Sequence, residues 1–524
     1  MSQTNRRKFM GAAAALAGTA AMGPYQGLLA RHGKGYRGIN NRAGYGPLRD
    51  AVDRTTGQVL IRLPRGFSYR TFGEQGSVMD DGFITPPSHD GMQAFRGPGG
   101  SVRLVRNHET QFQMGNSAGA PASGEVGPNP YDAVCNGGTT TIQIDGGSWG
   151  RHGRDRWGSV ESWRSASGTY FNCSGGNSTY RTWFTCEELP GGPDIGDDFF
   201  GNSVNLTQKH GYMYEVDSRW GPGEAPTPQP ITQAGRFTHE GAVMDRSGYV
   251  YMTQDDFFGP SGLYRYCPPN NARRDKRVED GGILQMLKVV GIDKAELFSH
   301  QEPGARYNVE WVNIPDPDPA MPPGTPFINP AGDDALGMVS SQGFEQGAAQ
   351  FSRLEGIRRR GNQLFFSSTQ GGQGREGASS TFGPGFGQIW KLNLRRMVLK
   401  LVFEAPGVAD PDQPVGPGNL PSLSLPDNIA ISPRGGLVMC EDGTIDRPDR
   451  GFVIPHNFMR GLSQDGELFD FAENVIGAGE FTGATFSPDG QSMFFNVQTT
   501  VEDGVIVDVG RTYEVRGPFH RGPF

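Results

Sequence analysis

The chain has 524 residues, with glycine (79) and proline (39) over-represented and 35% hydrophobic content. Glycine shows no three-residue period, which excludes collagen, and 10% aromatic residues exclude global disorder. A net charge of -8, from 48 basic and 56 acidic residues, argues against nucleic-acid-specific binding.

The first predicted element is an export signal. Arg6-Arg7 precedes an Ala-rich, mildly apolar stretch over residues 11–22. This pattern is that of a bacterial twin-arginine signal peptide, assigned to residues 1–35 with the cleavage point left open. It predicts passage through the twin-arginine export machinery as a folded protein, then residence in the periplasm or outside the cell. No later apolar run is long enough for a stable membrane anchor. Residues 36–524 read as one domain.

Short Val/Ile/Phe/Tyr runs alternate with Gly/Pro turns along that domain, which predicts an all-β fold. Five segments share one layout: 90–109, 240–256, 355–370, 427–442 and 480–498. Each opens on a carboxylate, continues as an apolar run, a turn and a second apolar run, and ends polar or acidic. A sixth, TYRTWFTCEE (179–188), keeps the second run and its acidic end. Run, turn and run make a β-hairpin, whose two ends lie at one edge. Asp90 should thus neighbour Glu109, Glu240 should neighbour Asp255 or Asp256, and Asp427 should neighbour Asp442. Six hairpins set radially make a β-propeller, with six blades expected, long Gly/Pro-rich loop insertions and a few short helices. The loops are 111–130, 315–334, 371–386 and 405–422. Residues 283–300 form the best helix candidate.

Carboxylates so gathered repel one another unless cations neutralise them, and oxygen ligands suit hard multivalent ions. Cys186, followed by Glu187 and Glu188, adds a thiolate, which suits a transition ion beside the hard ones. A buried apolar cysteine is the competing reading, and the two stay open on spacing alone. The five cysteines include Cys135 and Cys173 in Gly-rich loops, where a bridge between them is conceivable, and Cys267 and Cys440, which read as structural. His108 and His239 stand beside site acids and read as hydrogen-bonded loop histidines. The GxSxG match GNSAG (115–119) falls in the loop 111–130 instead of a strand-to-helix elbow, and no Walker loop is present, so a serine nucleophile on an α/β-hydrolase sheet and a P-loop are disfavoured.

The stretches GGTTTI (137–142), NCSGG (172–176), TWFTCEE (182–188), RLEGI (353–357), LPDNIAISPRG (425–435), CEDG (440–443) and GEFTGATFSPDGQSMFFNVQ (479–498) resemble the PhoX-type alkaline phosphatases. That resemblance implies a decorated β-propeller, twin-arginine export, and hydrolysis of small-molecule phosphate monoesters by a cluster of Fe(III) and Ca2+. It maps the iron thiolate to Cys186 and the metal carboxylates to Glu187, Glu240, Glu355, Asp427, Asp442 and Glu480. Glu109, Glu188, Asp255 and Asp256 are further candidates from the hairpin ends. Arg353 would grip a phosphate oxygen. Leu354 and Gly356 depart from the expected Pro and bulky residue, and residues 497–500 read VQTT where a His-Pro-Gly type is expected. The alternatives are a calcium-dependent propeller hydrolase of lactonase or phosphotriesterase type, suggested by Asp427-Asn428, and a non-enzymatic binding propeller.

Overall fold

The structure is a computed structural model. It describes residues 39–110, 125–145, 157–197, 205–302, 304–328, 334–373, 382–383, 385–405, 423–442, 446–447, 452–453, 456–502 and 505–524. The expected export signal lies outside these residues, as do parts of the four expected loops.

The regular structure of the described residues is almost wholly antiparallel β, with short helices such as Ala272–Asp275 and Ser340–Glu345. Sheets form by local hairpin succession, as the turn-punctuated sequence requires. The first carries His89–Arg96, Val102–His108, Gly137–Asp145 and Ser159–Thr169 in that order. The second carries Asn172–Asn177, Thr182–Glu187 and Met213–Asp217. Next comes a nine-stranded sheet, running from His239–Met244 at one edge to Leu354–Arg360 at the other. Its two halves join where Arg306–Asn313 pairs with Val398–Glu404. The last two sheets start from Pro426–Ile431 and from Phe481–Phe486. The N-terminal part of the domain completes both. Val59–Pro64 pairs with Leu468–Asn474, and Ser68–Phe72 pairs with Arg511–Arg516.

Six strands begin these hairpin series: His89–Arg96, Asn172–Asn177, His239–Met244, Leu354–Arg360, Pro426–Ile431 and Phe481–Phe486. Each lies against the next, and the sixth lies against the first, so the inner strands close a ring. The core is distributed between successive sheets. Phe184, Cys186 and Met213 of the second sheet meet Ala242, Met252 and Tyr264 of the third. Leu60, Val438 and Phe469 meet Tyr69, Phe495 and Val515.

The expected helix over 283–300 is instead the strand Ile283–Val289, paired on both sides. Leu284 and Met286 enter one apolar cluster, Leu287 and Val289 another. Both faces of this strand carry buried residues, so its polar residues Gln285 and Lys288 fall three apart instead of alternating, a spacing that reads as a helix.

Candidate functional site

The same irregularity occurs near the start of all six inner strands. Pairing to the adjacent strand slips by one residue between His89 and Met92, Asn172 and Gly175, His239 and Ala242, Leu354 and Ile357, Pro426 and Ile429, and Thr482 and Thr485. Such a β-bulge sets two residues against one and re-aims a side chain. The first bulged residues are Asp90, Cys173, Glu240, Glu355, Asp427 and Gly483. Five of the six are potential metal ligands. The residue after them is Gly, Ser or Ala in five of the six, and Asn428 in the other, and inner strands approach closely there. A Cβ on Gly91 would lie 2.7 Å from Ser174 Cα, and one on Gly356 would lie 2.6 Å from Ile429 N. Gly356→Ala is therefore expected to destabilise the protein by about 1–3 kcal/mol and to displace Asp427. Thermal unfolding checks this, and an unchanged midpoint would contradict the packing account.

The strands paired to the inner ones end on the same side, delivering Glu109, Glu188, Asp255 and Asp442 just past their last residues. In the sixth hairpin, where the bulge holds Gly483, Glu480 enters from just before the strand. Four overlapping groups result: Asp90, Glu109 and Cys173; Cys173, Glu188 and Glu240; Glu240, Glu355 and Asp427; Asp427, Asp442 and Glu480. Within each, one ligand atom per residue lies within 4.8 Å of the others. Cys173, Glu240 and Asp427 are shared, so eight carboxylates and one thiol form a continuous chain of donors.

Burial and mutual repulsion dominate the electrostatics. Glu240 is fully buried, and neither of its carboxylate oxygens receives a hydrogen bond. Desolvation, then repulsion from Glu355, Asp427, Glu188 and Asp90, holds its carboxyl well above the usual range. Burial does the same to Asp90, reinforced by Glu109, and to Glu480, reinforced by Asp442. Asp427 is raised to about 7 by burial and then by Asp442. Burial also pushes the Cys173 thiol up, with Asp90 and Glu240 adding to it. An unpartnered carboxylate this deep needs a proton or a cation. Hard cations suit the carboxylates, and the thiol suits a softer ion beside them, so the donor set fits the iron and calcium that the sequence leads one to expect.

Other predicted site residues are placed differently. Cys186 lies in the apolar cluster between the second and third sheets. It shares a face with Glu188 but stands one residue inside the strand, where the third sheet packs over it, whereas Glu188 emerges past the strand's last residue. The Glu187 carboxylate accepts from Tyr170 N (2.8 Å), Gly211 N (2.7 Å) and Tyr212 N (3.1 Å), and faces His210 Nδ1 at 2.7 Å. Asp256 caps a turn by accepting from Phe258 N and Gly259 N. Asp255 is engaged by Arg353, whose Nε and Nη2 both donate to it, at distances down to 2.6 Å. Arg353 Nη2 also lies 2.9 Å from Glu355 Oε1, and its guanidinium sits 5.0 Å from the centre of the Phe257 ring.

All five cysteines are free thiols, so Cys135 and Cys173 do not bridge. Cys135 lies 3.7 Å from His210 Nε2 instead. His108 is hydrogen-bonded to Pro87 O and Thr140 Oγ1, and His239 to Gly235 O. Cys173 was the residue missed by reading the sequence for acids. Its signal was positional: it occupies in NCSGG the place that Asp90, Glu240, Glu355 and Asp427 hold before a small residue or Asn.

A family model described as alkaline phosphatase PhoX matches residues 43–500. No curated protein matches the chain. Among solved structures, Pseudomonas fluorescens PhoX in complex with vanadate, a transition state analogue, is similar at 17% identity with a TM-score of 0.62. The likeness covers 92% of this chain and 98% of that one. A gluconolactonase from Xanthomonas campestris is similar at 12% identity and a TM-score of 0.36, covering 90% of this chain and 98% of that one.

Proposed function

Because the chain belongs to the PhoX alkaline phosphatase family and is thus a phosphatase, we propose that it is an exported phosphomonoesterase whose bulged inner strands hold a cluster of iron and calcium ions. The proposed ligands are Asp90, Glu109, Cys173, Glu188, Glu240, Glu355, Asp427, Asp442 and Glu480, with Cys173 as the iron thiolate. The closed ring of six inner strands supports reading the fold as a six-bladed β-propeller. The twin-arginine pattern at the N-terminus supports a periplasmic or extracellular location. Among the described residues no helix is long and apolar enough to cross a membrane.

The observation that carries the reading is Glu240: a fully buried carboxylate with no donor on either oxygen, placed where two of the ligand groups meet. Bound there, the ions supply positive charge that polarises a phosphoryl group and offsets charge developing in the transition state. The protein's own part is geometric. Five of the six bulges fix a ligand on a rigid strand, which keeps the donors gathered against their repulsion. Burial keeps water away and strengthens every charge interaction inside.

Arg353 is the proposed grip on the substrate. Asp255 braces its guanidinium through two nitrogens, so the planar fork is oriented before a phosphate arrives. Arg353→Lys keeps the charge but loses the fork. It is expected to raise KM for p-nitrophenyl phosphate about tenfold while kcat changes less. An unchanged KM would remove Arg353 from the substrate site.

The Asp427-Asn428 pair, which suggested a calcium lactonase, does not favour that alternative. The Asn428 amide donates to Asp427 Oδ1 and its oxygen accepts from Gly483 N, so the side chain serves the bulges. The test of the main reading is chelation. Treatment with EDTA should abolish phosphomonoester hydrolysis, and calcium should restore it where iron is retained. Undiminished turnover by demonstrably metal-free protein would refute it.

A further inference from the structure

Beside the proposed cluster lies a second group of buried polar side chains, Asp132, Cys135, His210 and Glu187. The imidazole of His210 has a carboxylate at each nitrogen: Glu187 Oε1 at 2.7 Å from Nδ1 and Asp132 Oδ2 at 3.3 Å from Nε2. Carboxylate oxygens at both ends place each ring nitrogen where it can donate. Tyr131 and Tyr170 pack edge-on against the ring at centroid distances of 5.4 and 5.6 Å. Arg236 Nε donates to the His210 carbonyl at 3.0 Å.

Asp132 is filled by other donors. Val134 N, Thr207 N, Thr207 Oγ1 and Gln208 N all donate to it. That saturation disfavours a metal between Asp132, Cys135 and His210, although their donor types suit one.

The consequence runs through Glu187 to the Tyr170-Phe171 turn. Tyr170 N donates to Glu187 Oε1 at 2.8 Å. Phe171 holds φ +53, an unfavourable conformation for an aromatic residue, which neighbouring bonds must impose. Phe171 O accepts from Glu188 N at 2.9 Å, and Phe171 N donates to Thr110 O at 3.0 Å. Two residues further on stands Cys173. The turn therefore touches the backbone beside three members of the cluster: Glu109, Cys173 and Glu188.

We propose that His210 is a positioning residue for the metal cluster: clamped between Asp132 and Glu187, it fixes the turn that sets Cys173, Glu188 and Glu109 in register. This rests on the reading of the cluster as a metal site. His210 touches no proposed ligand and acts through Glu187 and the Tyr170 ring.

The test uses full-length, metal-loaded protein titrated with EDTA, with retained iron and calcium counted by elemental analysis. His210→Phe removes both donors and should release metal at chelator concentrations about 10–100-fold below wild type. His210→Asn keeps a donor near the Nδ1 position and should recover most of that loss, a rescue that a merely space-filling role would not give. Should His210→Phe fail to fold, Glu187→Gln, which withdraws charge from the same turn, should show the same early release. Variants that hold metal as tenaciously as wild type overturn the inference while leaving the cluster reading intact. Wild-type protein that binds no metal overturns the cluster reading itself. Loss of one whole metal equivalent in Cys135→Ser would make His210 a ligand and also overturn the positioning role.

Discussion

Cys173→Ser is expected to lose iron and to lower kcat/KM toward phosphomonoesters by at least about 100-fold, whereas Cys186→Ser is expected to keep its iron. Serine is a harder and weaker ligand than thiolate for a transition ion. Cys173 shares a ligand group with Asp90 and Glu109, and another with Glu188 and Glu240, so its loss opens both. Cys186 is packed with Phe184, Met213 and Ala242. Its replacement buries a hydroxyl in an apolar cluster, with a penalty of about 1–3 kcal/mol in stability and little change at the site. Iron content and kinetics on the two purified variants separate the effects. The reverse pattern, with iron lost from Cys186→Ser alone, would return the thiolate to the position the sequence motif favoured.

The second large effect is a change of sign. With its metals removed, the protein should gain stability from Glu240→Gln, roughly 2 °C in Tm, because a neutral amide replaces a buried carboxylate repelled by four others. With metals bound, the same variant should melt below wild type, since a ligand and part of the binding free energy are gone. The pH dependence follows the same logic. Carboxyls raised in the folded state hold protons that the unfolded chain, with its carboxyl pKa values near 4, has already released. The folded form then binds more protons, so stability of the metal-free protein falls as pH rises. For Asp427 the loss runs from about pH 4 through about 7, and Glu240, Asp90 and Glu480, also raised by burial, add to it in the same direction. Melting curves of chelator-treated protein at pH 5 and pH 8 should show the lower Tm at pH 8. Metal-loaded protein should lose this dependence. A metal-free protein that is more stable at pH 8 would contradict the crowding of these acids.

The hairpin layout carried much of this into the sequence. An acid at the start of one run and another at the end of the next are neighbours by hairpin geometry alone, which is why Asp90 with Glu109 and Asp427 with Asp442 were legible. What the layout could not carry was facing. In TWFTCEE three consecutive polar candidates compete: alternation turns only Glu187 to the other face, and Cys186 differs from Glu188 in lying inside the strand instead of past its end. Glu188 reaches the cluster, while Glu187 serves the neighbouring turn and Cys186 the core. The bulges were also silent, because an extra residue in a strand leaves no compositional mark except the small residue after it. Gly356, which looked like a departure, is required by the Ile429 backbone lying against it. Arg353 was legible as a cation beside Glu355, but its brace, Asp255, arrives from a hairpin about a hundred positions earlier in the chain. Asp255 therefore read as a ligand.

Anomalous diffraction at the iron absorption edge, on crystals of protein exported with its metals, tests the central claim most directly. The account predicts a strong peak within bonding distance of Cys173 Sγ, on the side where Glu188 and Glu240 converge. A map with no such peak, or with its peak beside Cys186 or among Asp132, Cys135 and His210, would contradict it.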